Sequence, residues 1–208
     1  MSPIEPTWDA AREASAIAAA QRGDVRAFEV LVSAYQELAY GVTYHILGQP
    51  DAAMDATQDA FVRAFQGLHR FRGGSFKGWI LRIATNCAYD QLRYLQRRPS
   101  TPIDDLVEDE EHSELLLATD EEPEARAERG DLNDALRRGL QEIPPDQRAT
   151  LVLSDIHGLS YDEIARATRV SVGTVKSRLS RARAKLRDYM LAHEELLPGR
   201  YRPTVNDS

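Results

Sequence analysis

One segment of this chain, residues 99–125, contains eleven acidic residues and no lysine or arginine. It also contains three prolines and only a short apolar run, so it cannot bury enough apolar surface to offset the entropy of ordering. We therefore expect a mostly extended, flexible acidic linker that divides the 208-residue chain into two small domains. A solvated spacer and a segment with a function of its own both fit this composition.

Both flanking blocks place apolar residues at helical spacing, and neither shows the alternation typical of strands. Phe28, Leu31 and Tyr35 mark one such helix, and Gly73-Gly74 interrupts the pattern further on. The fold class predicted is all-α, with two small helical domains. The predicted organisation is an N-terminal tail at 1–13, a first domain at 14–98, the acidic linker at 99–125, a second domain at 126–190 and a C-terminal tail at 191–208.

The net charge of −7 is unevenly distributed. Removing the linker's 11 acids from the total of 33 leaves 22 acidic residues against 26 basic ones, so the remainder is mildly basic. The single cysteine, Cys87, excludes an internal disulfide and a cysteine-based zinc site, and the histidines are scattered. We expect no metal and no cofactor. Without an apolar span or a secretory signal, we expect a cytoplasmic protein with no membrane contact of its own.

The second domain contains the pattern of a helix-turn-helix. Ser160 and Glu163 fit a capping box, which predicts a helix from Tyr161 to Thr168. Ser171 is placed to cap a second helix that runs through Arg187. Two helices with so short a connection are typical of the motif.

The second of these helices has an apolar stripe and a basic outer face. Between Val170 and Arg187 there are six basic residues and no acidic one, which favours contact with DNA phosphates over a merely structural basic helix. Its N-terminal half would face base edges in the major groove. The predicted inward stripe is Val172, Val175, Leu179, Ala182 and Leu186, and the predicted outer face is Thr174, Lys176, Ser177, Arg178 and Arg181.

Two helices of the first domain also have chemically distinct faces. Asp51, Asp55 and Asp59 lie four residues apart and, with Gln58, offer acceptors to a basic partner, although an ordinary amphipathic helix has the same pattern. A later helix has an apolar stripe, which makes Cys87 a core residue, and a polar, basic opposite face suited to single-stranded DNA. The residues predicted on that opposite face are Arg82, Asn86, Tyr89, Arg93 and Arg97, and Trp79 is predicted to anchor the core.

Two long segments resemble the extracytoplasmic-function (ECF) sigma factors of the sigma-70 family. In the second domain the resemblance is carried by SVGTVKSRLSRAR, although response regulators of the LuxR type share a similar Thr-Val-Lys pattern. In the first domain it is carried by DAAMDATQDAFVRAFQGLHRF and SFKGWILRIATNCAYDQLR. Together the two blocks cover about three quarters of the chain in the family's order, and no phosphoacceptor domain is visible.

The resemblance implies a non-enzymatic subunit of bacterial RNA polymerase that recognises −10 and −35 promoter elements and promotes DNA opening. Its implied partners are core RNA polymerase, through the clamp of the largest subunit and the flap of the second largest, promoter DNA and an anti-sigma factor. The implied residues are Asp55, Gln58, Asp59 and Phe61 for core polymerase, Ser75, Phe76, Arg82, Asn86 and Arg93 for the −10 element, and Thr174, Lys176, Ser177, Arg178 and Arg181 for the −35 element.

The stretch FRGGSFKGW departs from the family pattern, in which it commonly has one more residue and often threonine where Gly78 stands. Two other classes of protein stay open on the residues alone. One is a helix-turn-helix regulator that binds operators without polymerase, and the other is an adaptor whose acidic segment engages a basic partner.

Overall fold

The computed structural model describes residues 8–97 and 123–193. Within these ranges the protein is all-helical and contains no strand, as predicted. The predicted linker lies almost entirely outside the described residues, and the C-terminal tail beyond residue 193 does so as well. None of the described helices is both long and apolar enough to cross a membrane.

Four helices form the first domain: α1 (Ala10–Gln21), α2 (Val25–Leu47), α3 (Pro50–Gly67) and α4 (Phe76–Arg97). The first helix starts four residues before the predicted boundary, because the side chain of Asp9 accepts a hydrogen bond from the Arg12 amide and caps it. The second helix ends at Gly48, whose left-handed backbone lets its amide bond back to Tyr44.

The inner face of α3 is almost entirely alanine. Ala53, Ala60 and Ala64 are fully buried there, so α2 and α4 approach its backbone closely. A short 3-10 turn, Leu68–Arg70, follows α3. The Gly73-Gly74 interruption then takes positive φ angles at both glycines, before α4 begins.

The second domain contains α5 (Pro123–Gln141), α6 (Pro145–Leu151), α7 (Tyr161–Thr168) and α8 (Val172–Ala192). A π-helical turn, Val152–Ile156, continues α6. The bounds of α7 agree with the prediction, whereas α8 runs five residues past the predicted Arg187. The inward stripe of α8 is as predicted: Val175, Leu179 and Ala182 are buried, and Val172 and Leu186 partly so.

The two domains pack against each other, with α7 against α4 and α6 against α2. Arg148, which is 5% exposed, donates from Nη1 to the carbonyl of Ile46 at 2.6 Å. This places a cation at the C-terminal end of α2, where the helix dipole is negative. On the other side of the contact, Lys77 Nζ donates to the His157 carbonyl at 2.7 Å. We refer to this contact between the two halves as the interdomain interface.

Candidate nucleic-acid interface

The turn between α7 and α8 is built by two caps and one strained residue. Ser160 and Glu163 form the predicted capping box: the Ser160 amide donates to the Glu163 carboxylate at 2.9 Å, and the Glu163 amide donates back to Ser160 Oγ at 3.3 Å. Arg169 ends α7 in the left-handed region, with φ of 57°. Ser171 then caps α8 by accepting from the Thr174 amide at 3.1 Å. These local bonds fix the angle at which α8 leaves α7.

Polar side chains form a continuous row along the outer side of α8. Ser177 Oγ donates to the Thr174 carbonyl at 2.9 Å, and Arg181 Nη2 donates to Ser177 Oγ at 3.3 Å. Lys176 and Arg181 are exposed. The structure thus brings four of the five predicted side chains onto one accessible surface, and this surface can approach a groove of duplex DNA.

Arg178 is the exception on this helix. Its guanidinium lies 2.8 Å from the carboxylate of Asp146, and its side chain is only 19% exposed. The carboxylate at the start of α6 therefore holds Arg178 toward the protein in this conformation, and its predicted DNA contact would require release from Asp146.

Arg183 also has a protein partner. It forms two hydrogen bonds to the Asp155 carboxylate, at 2.8 and 2.7 Å. The paired hydrogen bonds raise the pKa of Arg183 and lower that of Asp155. The structure thus pairs Arg183 with the π-helical turn that follows α6.

The polar side of α4 is only partly accessible. Arg93 is exposed and pairs with Asp90 at 3.0 Å, while Asn86 is half-buried and donates from its amide to the Arg82 carbonyl at 2.7 Å. Tyr89 was expected on the same open face, but its hydroxyl is buried and burial raises its pKa to about 12. The face predicted for single-stranded DNA is therefore partly covered in this conformation.

Ser75 and Phe76, at the start of α4, differ in accessibility. Ser75 is exposed, and its Oγ accepts from the Gly78 amide at 2.9 Å, which caps α4. Phe76 is 1% exposed and packs its ring against Tyr35 and Trp79. The expectation that the Phe76 ring reaches a base does not fit this packing, which makes Phe76 a support for the loop before α4. Trp79 packs in the same aromatic cluster, as predicted.

Cys87 is buried in the core of the first domain, as predicted. Burial raises the pKa of its thiol to about 11, so the thiolate needed for reactivity is scarce at neutral pH.

The acceptor-rich side of α3 is open to solvent. Asp55, Gln58 and Asp59 are exposed and line a shallow depression with Gln91 and Tyr94 of α4. Phe61 is half-buried and packs against the core. The exposed apolar side chains of Met54, Val62 and Phe65 lie on the same helix. This mixture of carboxylates and apolar groups suits a protein partner with a basic surface.

Comparison with known proteins identifies both halves of the chain. The model of Sigma-70 region 2 matches residues 31–98, and the model of Sigma-70, region 4, matches residues 133–186. The ECF RNA polymerase sigma factor SigE of Mycolicibacterium smegmatis is 36% identical over 189 residues, which is 91% of this chain and 70% of the relative. The chain belongs to the ECF group of the sigma-70 family.

Two further relatives agree with this ECF assignment. The RNA polymerase sigma-H factor of Pseudomonas aeruginosa is 39% identical over 166 residues, which is 78% of this chain and 86% of that protein. The structure of CnrH in complex with the cytosolic domain of CnrY superposes with a TM-score of 0.61 at 27% identity, and covers 88% of this chain and 99% of CnrH. The predicted family and the predicted helical fold are thereby confirmed.

Sequence reasoning missed the residues that join region 2 to region 4 in this ECF chain. Arg148, Lys77 and His157 were not singled out, because each contacts a partner distant in sequence. The one signal in the sequence was Arg148 itself, a charged residue directly before the largely apolar run ATLVL. Glu163 was singled out for its cap alone, yet its Oε1 also lies 2.9 Å from the point where a Cβ on Gly78 would stand.

Proposed function

We propose that this sigma factor directs RNA polymerase to promoters by using three surfaces in sequence. The acidic side of α3 docks on the clamp of the largest subunit, α4 captures the melted −10 strand, and α8 reads the −35 duplex while its domain contacts the flap of the second largest subunit. The accessible polar row of Thr174, Ser177 and Arg181 on α8 is the observation that supports this best, because arginine and hydroxyl side chains are readers of base edges.

In this proposal the chain itself catalyses no reaction, and RNA synthesis belongs to the polymerase. Because it acts at promoters, we expect the protein in the cytoplasm and, once it is bound to polymerase, on the nucleoid. An anti-sigma factor is a further proposed partner, because the CnrH structure contains a bound fragment of CnrY over a fold of this kind.

The acidic linker falls outside the described residues, and its role is a proposal from the sequence. Eleven acids without a balancing base would suit a basic channel of the polymerase that otherwise holds nucleic acid. Replacing residues 99–122 by a neutral Gly/Ser segment of equal length should lower transcript yield more than promoter recruitment. Full transcript yield from that variant would make the segment a spacer.

A gel-shift experiment with and without core polymerase tests the proposal against the two other classes. A sigma factor shifts a promoter fragment strongly only when core polymerase is present. A stand-alone helix-turn-helix regulator shifts its operator without polymerase, and an adaptor shifts no DNA in either case. Promoter fragments selected from a random library with the assembled holoenzyme serve as the probe.

A further inference from the structure

The loop between the 3-10 turn and α4, residues 71–75, is poorly confined in its middle. It contains Gly73 and Gly74, whose φ angles are 97° and 89°. A Cβ built at either glycine meets no atom within 4 Å, so no neighbouring segment restricts the backbone there, and glycine restricts its own backbone least of all residues. Because Ser75 ends this loop, contacts at the two ends of the loop determine where Ser75 stands.

Gln21, the last residue of α1, holds the start of the loop. Its side-chain Nε2 donates to the Leu68 carbonyl at 3.0 Å and to the Phe71 carbonyl at 2.9 Å. The Phe71 amide also donates to the Leu68 carbonyl, at 3.0 Å. One amide group thus uses its donors to fix the point at which the chain leaves the 3-10 turn.

The first helix also supports the far end of the loop, through Tyr35 of α2. The Tyr35 hydroxyl donates to the Glu13 carboxylate on α1, and its ring centroid lies 5.2 Å from that of Phe76, the first residue of α4. Burial, and then the hydrogen bond to Glu13, raise the pKa of Tyr35 to about 12, so the hydroxyl stays a donor at neutral pH. The ring of Phe76 in turn packs edge-on against that of Phe71, at 5.5 Å. One helix therefore braces both ends of the loop.

Resting on the proposed function, we propose that Gln21 is a positioning residue for −10 recognition: by bonding the 3-10 turn, it fixes the loop that presents Ser75 to an unpaired base. Gln21 acts through the backbone of the loop and touches no base itself. It lies on α1, before the residues 31–98 that match the Sigma-70 region 2 model, and so adds an element to the −10 site from outside the matched segment. A loop released from Gln21 keeps its sequence but samples other positions, so base preference is lost while −35 binding persists.

Three variants separate the hydrogen bonds of Gln21 from the bulk of its side chain. Gln21→Met keeps the length and the helix propensity of glutamine but donates no hydrogen bond, whereas Gln21→Lys keeps the reach and restores donors for the two carbonyls. Gln36→Met makes the same chemical change at an exposed position of α2 and is the matched control. Far-UV circular dichroism verifies the fold of each variant. If Gln21→Met does not fold, Gln21→Asn replaces it, since the shorter side chain withdraws the amide from both carbonyls.

Hydrogen exchange in the full chain, followed by mass spectrometry, measures the loop without any DNA. In Gln21→Met the amides of residues 68–76 should exchange about tenfold faster than in the wild type, as expected for the loss of one to two hydrogen bonds. The amides of α8 should exchange as before, and Gln21→Lys should recover most of the protection. Unchanged exchange in Gln21→Met, or an equal effect of Gln36→Met, would overturn the proposal.

A promoter library transcribed by the assembled holoenzyme measures recognition. Gln21→Met should lower the preference among bases at the −10 element about tenfold, which is within the range that one base contact gives, and should leave the −35 preference intact. Gln21→Lys should restore the −10 preference. An equal loss at both elements would show a general loss of structure, and an intact −10 preference beside faster exchange would show that the anchor has no part in recognition; either result overturns the proposal.

The two measurements also separate this proposal from the proposed function. Hydrogen exchange requires no promoter and no polymerase. A wild type that opens no promoter with core polymerase would therefore refute the proposed function, while faster exchange in Gln21→Met would still show that Gln21 anchors the loop.

Discussion

Acidification should separate the two domains, because two histidines are buried at the interdomain interface in their neutral form. The His157 ring lies over α2, and its burial, then His45 and Lys77 beside it, hold its pKa down to about 4 from the ordinary 6.5. Burial likewise lowers the pKa of His45, with a smaller contribution from Arg137. The charged groups that face these two rings are cationic, and the Gly41 carbonyl beside His45 Nδ1 offsets only part of the effect of burial on the pKa of His45.

The direction and size of the effect follow from this difference in pKa. Above about pH 7.5 both rings are neutral whether the domains are closed or open, so closure is at its strongest. As the pH falls below 6.5, His157 takes up a proton in the open form, where it is exposed. In the closed form the buried ring stays neutral. At pH 5 this costs the closed form at most about 2 kcal/mol from His157 alone, or roughly thirtyfold in the ratio of closed to open molecules.

Energy transfer between dyes on cysteines introduced at the exposed positions Gln36 and Asp188 measures this shift in the full chain at pH 7.5 and pH 5, while far-UV circular dichroism verifies that the helices persist. His157→Leu keeps an apolar side chain over Gly41 and should remove most of the pH dependence. His69→Leu, which replaces an exposed histidine away from the interface, is the matched control and should behave as the wild type. The reasoning fails if the wild type gives the same transfer at both pH values, or if His157→Leu retains the full response.

Three further predictions concern the proposed surfaces. Charge reversal of Asp55 and Asp59 should weaken pull-down of core polymerase and change the free energy of unfolding by no more than about 0.5 kcal/mol, because both are exposed; unchanged affinity would remove them from the docking surface. Asn86→Ala should retain duplex binding by holoenzyme but lose the permanganate reactivity of unpaired thymines, since alanine can neither donate to nor accept from a base; an unaltered footprint would contradict this. Arg181→Ala should lose selectivity at one or two −35 positions, by about 1–3 kcal/mol each, whereas Arg183→Ala, which breaks an ion pair to Asp155, should leave that selectivity intact, as scored in a promoter library; an intact −35 preference in Arg181→Ala would show that the assigned face of α8 is wrong.

Local signals in the sequence were sufficient to predict the helix-turn-helix. Ser160, Glu163 and Ser171 predicted the starts of α7 and α8, because a cap is formed by residues within three positions of each other. The length of α8 was underestimated, since its last turn carries no terminating glycine or proline before Ala192. Periodicity likewise predicted that Cys87 is buried, because a helix face repeats regularly along the chain.

Contacts between distant parts of the chain could not be predicted in the same way. The resemblance assigned Phe76 to the −10 element, yet the rings of Tyr35 and Phe71 enclose it from other segments. Arg178 lies on a basic helix with no acid nearby in sequence, and its partner Asp146 comes from a different helix. Helical periodicity identifies which face of each helix is polar, but it carries no information about what another segment places against that face.

The polar bonds of the interdomain interface are arranged so that opening need not unfold either domain. Glu163 keeps its bonds to the Ser160 amide and hydroxyl when the domains part, so α7 stays capped. Arg148 loses the Ile46 carbonyl but retains the carbonyls of Ile143 and Gln141 within its own domain. Lys77 exchanges the His157 carbonyl for water, which costs little because the net contribution of one such bond is about 0.5–1.5 kcal/mol, or somewhat more for a charged donor. Since no helix depends on a bond across the interface, substitutions at Gly41 or His157 can change the free energy of separation without changing the fold of either half.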